Sequence, residues 1–81
     1  MKIAVKLFAR AKDLAGSGLI ELDLPEQCRV AELRESLAQQ CPQLQPLLPH
    51  LLIAVNSDYA RDDTILSAGA EVACFPPVSG G

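Results

Sequence analysis

From its second residue the chain alternates: Ile3, Val5 and Leu7 are apolar, with Ala4, Lys6 and Phe8 between them. That period of two predicts a strand with one buried face, and it puts Phe8 on the side away from the core. A short segment, Ala9 to Ala15, ends at Gly16-Ser17-Gly18, a turn signal, after which Ile20, Leu22 and Leu24 alternate with Glu21 and Asp23. Together the two runs predict a β-hairpin. Pro25 closes the second strand, and Val30, Leu33, Leu37 and Cys41 then recur at three- and four-residue steps, the stripe of an amphipathic helix lying on a sheet. Pro42 stops that helix. Its start lacks a Ser, Thr, Asp or Asn cap at Arg29, although Glu32 stands where the reciprocal carboxylate of a capping box belongs. A frayed first turn is therefore expected.

Beyond the proline-punctuated segment from Pro42 to Pro49, the apolar run Leu51 to Val55 predicts a third strand, turned at Asn56-Ser57-Asp58 and followed by Tyr59. Asp62, Asp63 and Gly69 mark further turns. A last strand, Glu71 to Phe75, puts Val72 and Cys74 on one face and Ala73 and Phe75 on the other. Pro76-Pro77 then ends pairing, because neither residue has an amide hydrogen to give a ladder. Strand, strand, helix, strand, strand in so short a chain predicts an α+β domain, a mixed sheet with one main helix across a single face. The first and last strands are expected to be sheet neighbours, since a small two-layer domain must bring its chain ends together.

Composition narrows the function. At 81 residues there is room for one domain, and a deep substrate cleft is not expected. The net charge is −3, with six basic and six acidic groups in residues 1–40 but one basic and four acidic in residues 41–81. No Lys/Arg run provides the basic patch that nucleic-acid binding needs, so no nucleic-acid partner is expected. No apolar run approaches a membrane span, and no membrane partner is expected either. Cys28, Cys41 and Cys74 form no CxxC pair, and His50 is the one histidine, so no metal site is expected. An odd cysteine count without a signal peptide points to a reducing cytoplasm. Cys74 reads as a small buried hydrophobe, and Asp58, Asp62 and Asp63 as a solvated loop.

The chemistry is expected at the C-terminus. Val78-Ser79-Gly80-Gly81 follows the proline pair, and Gly80 and Gly81 have no Cβ, so they can thread a narrow tunnel and present the Gly81 carboxylate inside another protein. Pro76 and Pro77 hold the exit stiff and extended. A terminal glycine pair is on its own more often a frayed tail. Here it is anchored through stiff prolines on a strand, beside outward-facing aromatics in a chain that has only three, Phe8, Tyr59 and Phe75. For Phe8 and Phe75 the alternative is a core position, and alternation favours the outward one.

The segment Phe75 to Gly81, FPPVSGG, resembles the signature of the small subunits of molybdopterin synthase, which are ubiquitin-like sulfur carriers. LFARAKDLAG (Leu7 to Gly16), VAELRE (Val30 to Glu35), AVN (Ala54 to Asn56) and the turn at Gly69, Glu71 and Val72 resemble the family in order and spacing. Ala70, Cys74 and Arg29 depart from its usual pattern, and none of these touches the tail. The resemblance implies a β-grasp domain over residues 1–77 and a flexible tail over 78–81. It implies no bound cofactor, with ATP used by a partner adenylyltransferase that activates Gly81. A sulfur donor protein then converts the acyl-adenylate to a thiocarboxylate, and the loaded tail enters the large subunit and gives its sulfur to a cyclic pyranopterin precursor. Phe8, Tyr59, Phe75, Pro76, Pro77, Val78 and Ser79 are the implied partner-binding residues, and a heterotetramer of two large and two small subunits the implied assembly. Isolated, the chain is not expected to be an enzyme. Two alternatives stay open: a sulfur carrier for thiamine synthesis or tRNA thiolation, and a ubiquitin-like modifier or interaction module that is never thiolated.

Overall fold

Alternating side chains in the first and last strands make them natural neighbours at the centre of one sheet. In the structure, a computed structural model that describes residues 1–76, β1 (Lys2–Leu7) pairs in parallel with the last strand, with Val5 opposite Val72 and Leu7 opposite Cys74. Pro77, Val78, Ser79, Gly80 and Gly81 lie outside the described residues. Between β1 and β2 (Leu19–Asp23) runs α1 (Ala9–Ala15); α2 (Val30–Gln40) follows, then β3 (Leu52–Val55), β4 (Asp58–Tyr59) and β5 (Glu71–Phe75). The sheet has five strands in the order β2-β1-β5-β3-β4, mixed in direction, as the α+β expectation requires.

Ile3, Val5 and Leu7 of β1, Leu22 of β2, Ile53 of β3 and Val72 and Cys74 of β5 form one buried cluster with Val30, Leu33 and Leu37 of α2. These are the inward phases of the strand alternation and the stripe of the helix. Leu44, Leu48 and Leu51 close the cluster from two 3-10 turns, Pro42–Leu44 and Leu48–His50, and the residue after them. Among the described residues no helix is long and apolar enough to cross a membrane.

Two local expectations are corrected. The connection from β1 to β2 is not a simple hairpin turn: Ala9–Ala15 is a seven-residue helix, pinned by buried Ala11 and ended by Gly16 at φ 76, whose N–H donates to the Lys12 carbonyl at 2.9 Å. Glycine is suited to that left-handed position because it has no Cβ to clash. The first turn of α2 is not left frayed. The Glu32 carboxylate accepts from the Arg29 N–H at 3.1 Å. The carbonyls of Thr64 and Asp62 accept from the N–H groups of Val30 and Ala31 at 2.9 and 3.0 Å. A guanidinium has no acceptor to offer the helix, so distant backbone carbonyls do the capping.

Candidate functional site

The sheet face opposite α2 is built from the outward phases of the strands. Register places Leu19, Lys6, Ala73, Ala54 and Tyr59 in one line across all five strands. One step nearer the end of β5 lie Phe75 and, opposite it on β3, Leu52. Phe8 completes this second row: its N–H donates to the Cys74 carbonyl at 3.3 Å, and its ring stacks on Phe75 with centroids 4.9 Å apart and 8° between planes. Phe8 and Leu52 are each 41% exposed, Leu19 52% and Tyr59 76%, a concentration of large apolar side chains on one open face. A concavity of about 400 Å³ lies among them, lined by Phe8, Phe75, Tyr59, Ala73, Ala54 and Lys6.

Local chemistry holds this face in shape. Val55 and Asp58 pair across a two-residue turn whose central residues, Asn56 and Ser57, have φ 51 and 73. Two left-handed residues define the hairpin turn that matches strand twist, and Asn tolerates that conformation well. The Asn56 side-chain oxygen accepts from the Glu71 N–H at 2.9 Å, while its N–H donates to the Glu71 carbonyl at 2.8 Å. One residue thus turns the hairpin that carries Tyr59 and clamps the start of the strand that leads to the tail.

Of the sequence-predicted residues, the structure brings Phe8, Tyr59 and Phe75 together on this face, with Pro76 half-buried at its end. The predicted tail residues from Pro77 to Gly81 lie outside the described residues. Sequence reasoning missed Leu52 and Leu19. The signal for Leu52 was present, since a period of two puts it opposite in phase to Ile53. Cys74 is fully buried, and burial pushes its thiol up to about 11, with Arg34 drawing it slightly back. A thiol so protonated is a poor nucleophile. His50 is exposed at the end of a 3-10 turn. The loop acids are exposed as expected, yet Asp62 is more than solvated: its carboxylate pairs with Arg34 Nε at 2.8 Å, and Arg34 also donates to the Leu48 carbonyl at 2.6 Å. Among the described residues no three His, Cys, Asp or Glu side chains gather to hold a metal.

A parallel pair of terminal strands at the centre of a mixed five-stranded sheet, crossed on one face by a helix, defines a ubiquitin-like β-grasp protein. The chain belongs to the ThiS family, whose model matches residues 5–81. It is 32% identical to the molybdopterin synthase sulfur carrier subunit of Arabidopsis thaliana, over 100% of this chain and 84% of that protein. Its structure is similar to that of SAMP1 from Haloferax volcanii, with TM-score 0.89, 29% identity and 100% of both chains covered. It shares its fold with a chain in the complex of subunits 1 and 2 of molybdopterin-converting factor from Helicobacter pylori, with TM-score 0.71, 24% identity and 100% of both chains covered.

Proposed function

We propose that this chain is the sulfur-carrier subunit of a molybdopterin synthase, with the Gly81 carboxylate as its working group. The observation that carries the reading is that β5, the strand leading to the FPPVSGG segment, lies at the centre of the sheet and ends in Phe75 on an open apolar face. A partner covering that face receives the tail at a fixed point. Membership of the ThiS family and the likeness to the Arabidopsis thaliana carrier subunit support the assignment.

In the proposed cycle the domain is residues 1–77 and residues 78–81 form the delivered tail. A carboxylate is a poor acyl donor until one oxygen becomes a good leaving group. A partner adenylyltransferase supplies this: the Gly81 carboxylate attacks the α-phosphorus of ATP, and pyrophosphate leaves. A sulfide equivalent from a donor protein then displaces AMP, giving the thiocarboxylate. Its sulfur is a nucleophile on a tether, and delivery inside the large subunit replaces a bimolecular encounter by a positioned one. The acceptor is the cyclic pyranopterin precursor, and two such transfers build its dithiolene. The chain binds no cofactor in this scheme, the catalytic machinery belongs to its partners, and the complex with the large subunit is a cytoplasmic heterotetramer of two large and two small subunits.

Ordering four tail residues costs roughly 4 to 8 kcal/mol at about 1 to 2 each. Offsetting that takes on the order of 160 to 320 Å² of buried apolar surface. The exposures of Phe8 and Tyr59 leave roughly 200 Å² of ring to cover, and Leu19 and Leu52 add more. The open face, rather than the tail, holds the complex.

A second reading is favoured by one observation: 32% identity to the small archaeal modifier protein 1 of Haloferax volcanii, over 94% of this chain and 97% of that protein. A modifier uses the same activated carboxylate but passes it to an amine. Incubation with the adenylyltransferase, ATP and a sulfur source, followed by intact mass, separates the two. Sulfur in place of one terminal oxygen, and then thiolation of the precursor with the large subunit present, is the expected result. A chain that is adenylated but never thiolated sinks the carrier reading.

A further inference from the structure

Lys6 is the single charged side chain in the two rows of the open face nearest the end of β5. Its cross-strand neighbours on that face are Leu19 and Ala73, and Phe8 and Tyr59 line the same concavity. Among the described residues the ion pairs are Met1 with Asp23 and Arg34 with Asp62, so Lys6 has no carboxylate within 4.0 Å. Glu21 and Glu71 both stand opposite Ala4, two register pairs further from the tail end and so the next row on the same face, on the diagonals of Lys6. Diagonal neighbours lie about 7 to 8 Å away, and Glu71 lines the same concavity as Lys6, yet neither carboxylate closes to within 4.0 Å of the ammonium, so the charge is left for a partner group to pair.

We infer that Lys6 is a specificity-determining contact: the large-subunit surface that covers this face carries an aspartate or glutamate side chain directed at the Lys6 ammonium. The inference rests on the carrier reading above. A protein laid over Phe8, Leu52, Tyr59 and Leu19 strips water from the centre of the face, where the Lys6 stem is rooted. An ammonium that loses its water without gaining a counter-charge weakens binding, whereas a partner carboxylate converts the same burial into discrimination among partners. Leu19 stands on the edge strand between Lys6 and that flank of the sheet, so escape of the ammonium to solvent there requires the stem to pass over an apolar side chain. Phe8, Phe75 and Leu52 supply area to any apolar partner; Lys6 selects an acidic one.

The test uses the full chain and the large subunit from the same genome. Dissociation constants are measured across a salt series for the wild type, Lys6→Met and Lys6→Glu, alongside thermal unfolding and thiocarboxylate formation. Lys6 is exposed, so both variants should unfold as the wild type does. Lys6→Met keeps the stem and should weaken binding by about tenfold with a flatter salt dependence, and Lys6→Glu by about a hundredfold or more. A carboxylate-to-lysine change on the large subunit should restore binding of Lys6→Glu. Lys6→Met binding as tightly as the wild type, with the same salt dependence, overturns the inference while leaving the carrier reading intact. That result is expected if Lys6 reaches solvent or pairs with the chain's own Gly81 carboxylate. A wild-type chain that is not thiolated and does not bind the large subunit overturns both.

Discussion

The ring of Phe8 lies flat on the ring of Phe75, 4.9 Å between centroids, although 67 positions separate the two residues in the chain. Each stands at the tail end of a central strand, and the parallel pairing of β1 with β5 brings those ends together. The stack therefore depends on the sheet closing, and it marks the point from which the chain leaves toward Pro76. Phe8 is held there by a backbone that turns sharply: its N–H still bonds β5, while the next residue, Ala9, takes φ 53 to begin α1.

Phe75→Asp should weaken docking to the large subunit far more than it weakens the fold. Phe75 is half-buried and outside the core cluster, so the loss in denaturant unfolding should stay near 1 to 2 kcal/mol, below the roughly 3 to 5 of a core aromatic truncation. A double-mutant cycle with Phe8→Ala and Phe75→Ala should return a coupling of about 0.5 to 1.5 kcal/mol. Loss of core-sized stability with docking unchanged would contradict the placement of this face at the interface.

Deleting Gly81, or adding one residue after it, should leave circular dichroism unchanged and abolish sulfur transfer, because the reactive group is lost or displaced along the tunnel. Truncated protein that still supports thiolation of the precursor would remove Gly81 from its proposed role.

The turn at Asn56-Ser57 makes an ordered prediction. Ser57→Gly should stabilise by up to about 1 kcal/mol, since glycine occupies a left-handed position without the Cβ penalty. Asn56→Gly keeps the turn but loses the bond to Glu71, costing about 1 kcal/mol. Asn56→Ala loses both the bond and the tolerance for φ 51, and should be the least stable of the three. Chemical denaturation of the set checks the order. Equal stability of Asn56→Ala and Asn56→Gly would mean the backbone conformation carries no cost.

Much of this was legible in the chain because it rests on local periodicity. Ile3, Val5 and Leu7, Val72 and Cys74, and Val30, Leu33 and Leu37 are inward where alternation and helical spacing put them. Phe8 and Phe75 are outward for the same reason. What was not legible depends on pairing between distant segments. Leu52 gains its meaning from lying opposite Phe75, and Arg29 is an adequate helix start only because the carbonyls of Asp62 and Thr64 arrive from another loop. The helix Ala9–Ala15 escaped because seven residues with a single buried position show too little periodicity, and its stability comes from Ala11 packing into the core.

Cys74 gives a pH signature that separates packing from sulfur chemistry. Its side chain is 0% exposed, and burial raises the thiol from the ordinary 9.0 to about 11. Below pH 9 the thiol is protonated in both the folded and unfolded chain, and its contribution is complete. Between about pH 9 and pH 11 the unfolded chain releases this proton first, so stability falls as pH rises, by up to about 1.4 kcal/mol per pH unit. Above that window both states carry the thiolate and the slope from this group vanishes. Comparing wild type with Cys74→Ala across the window isolates the effect, because every other ionisable group is common to both. Cys74→Ser should cost roughly 1 to 3 kcal/mol by burying a hydroxyl in apolar surroundings, yet still accept sulfur at Gly81. Native protein at pH 8 should resist thiol reagents at Cys74 and react only on unfolding. Persulfide on Cys74 in the wild type, together with loss of Gly81 thiolation in a folded Cys74→Ser variant, would instead make this thiol a relay.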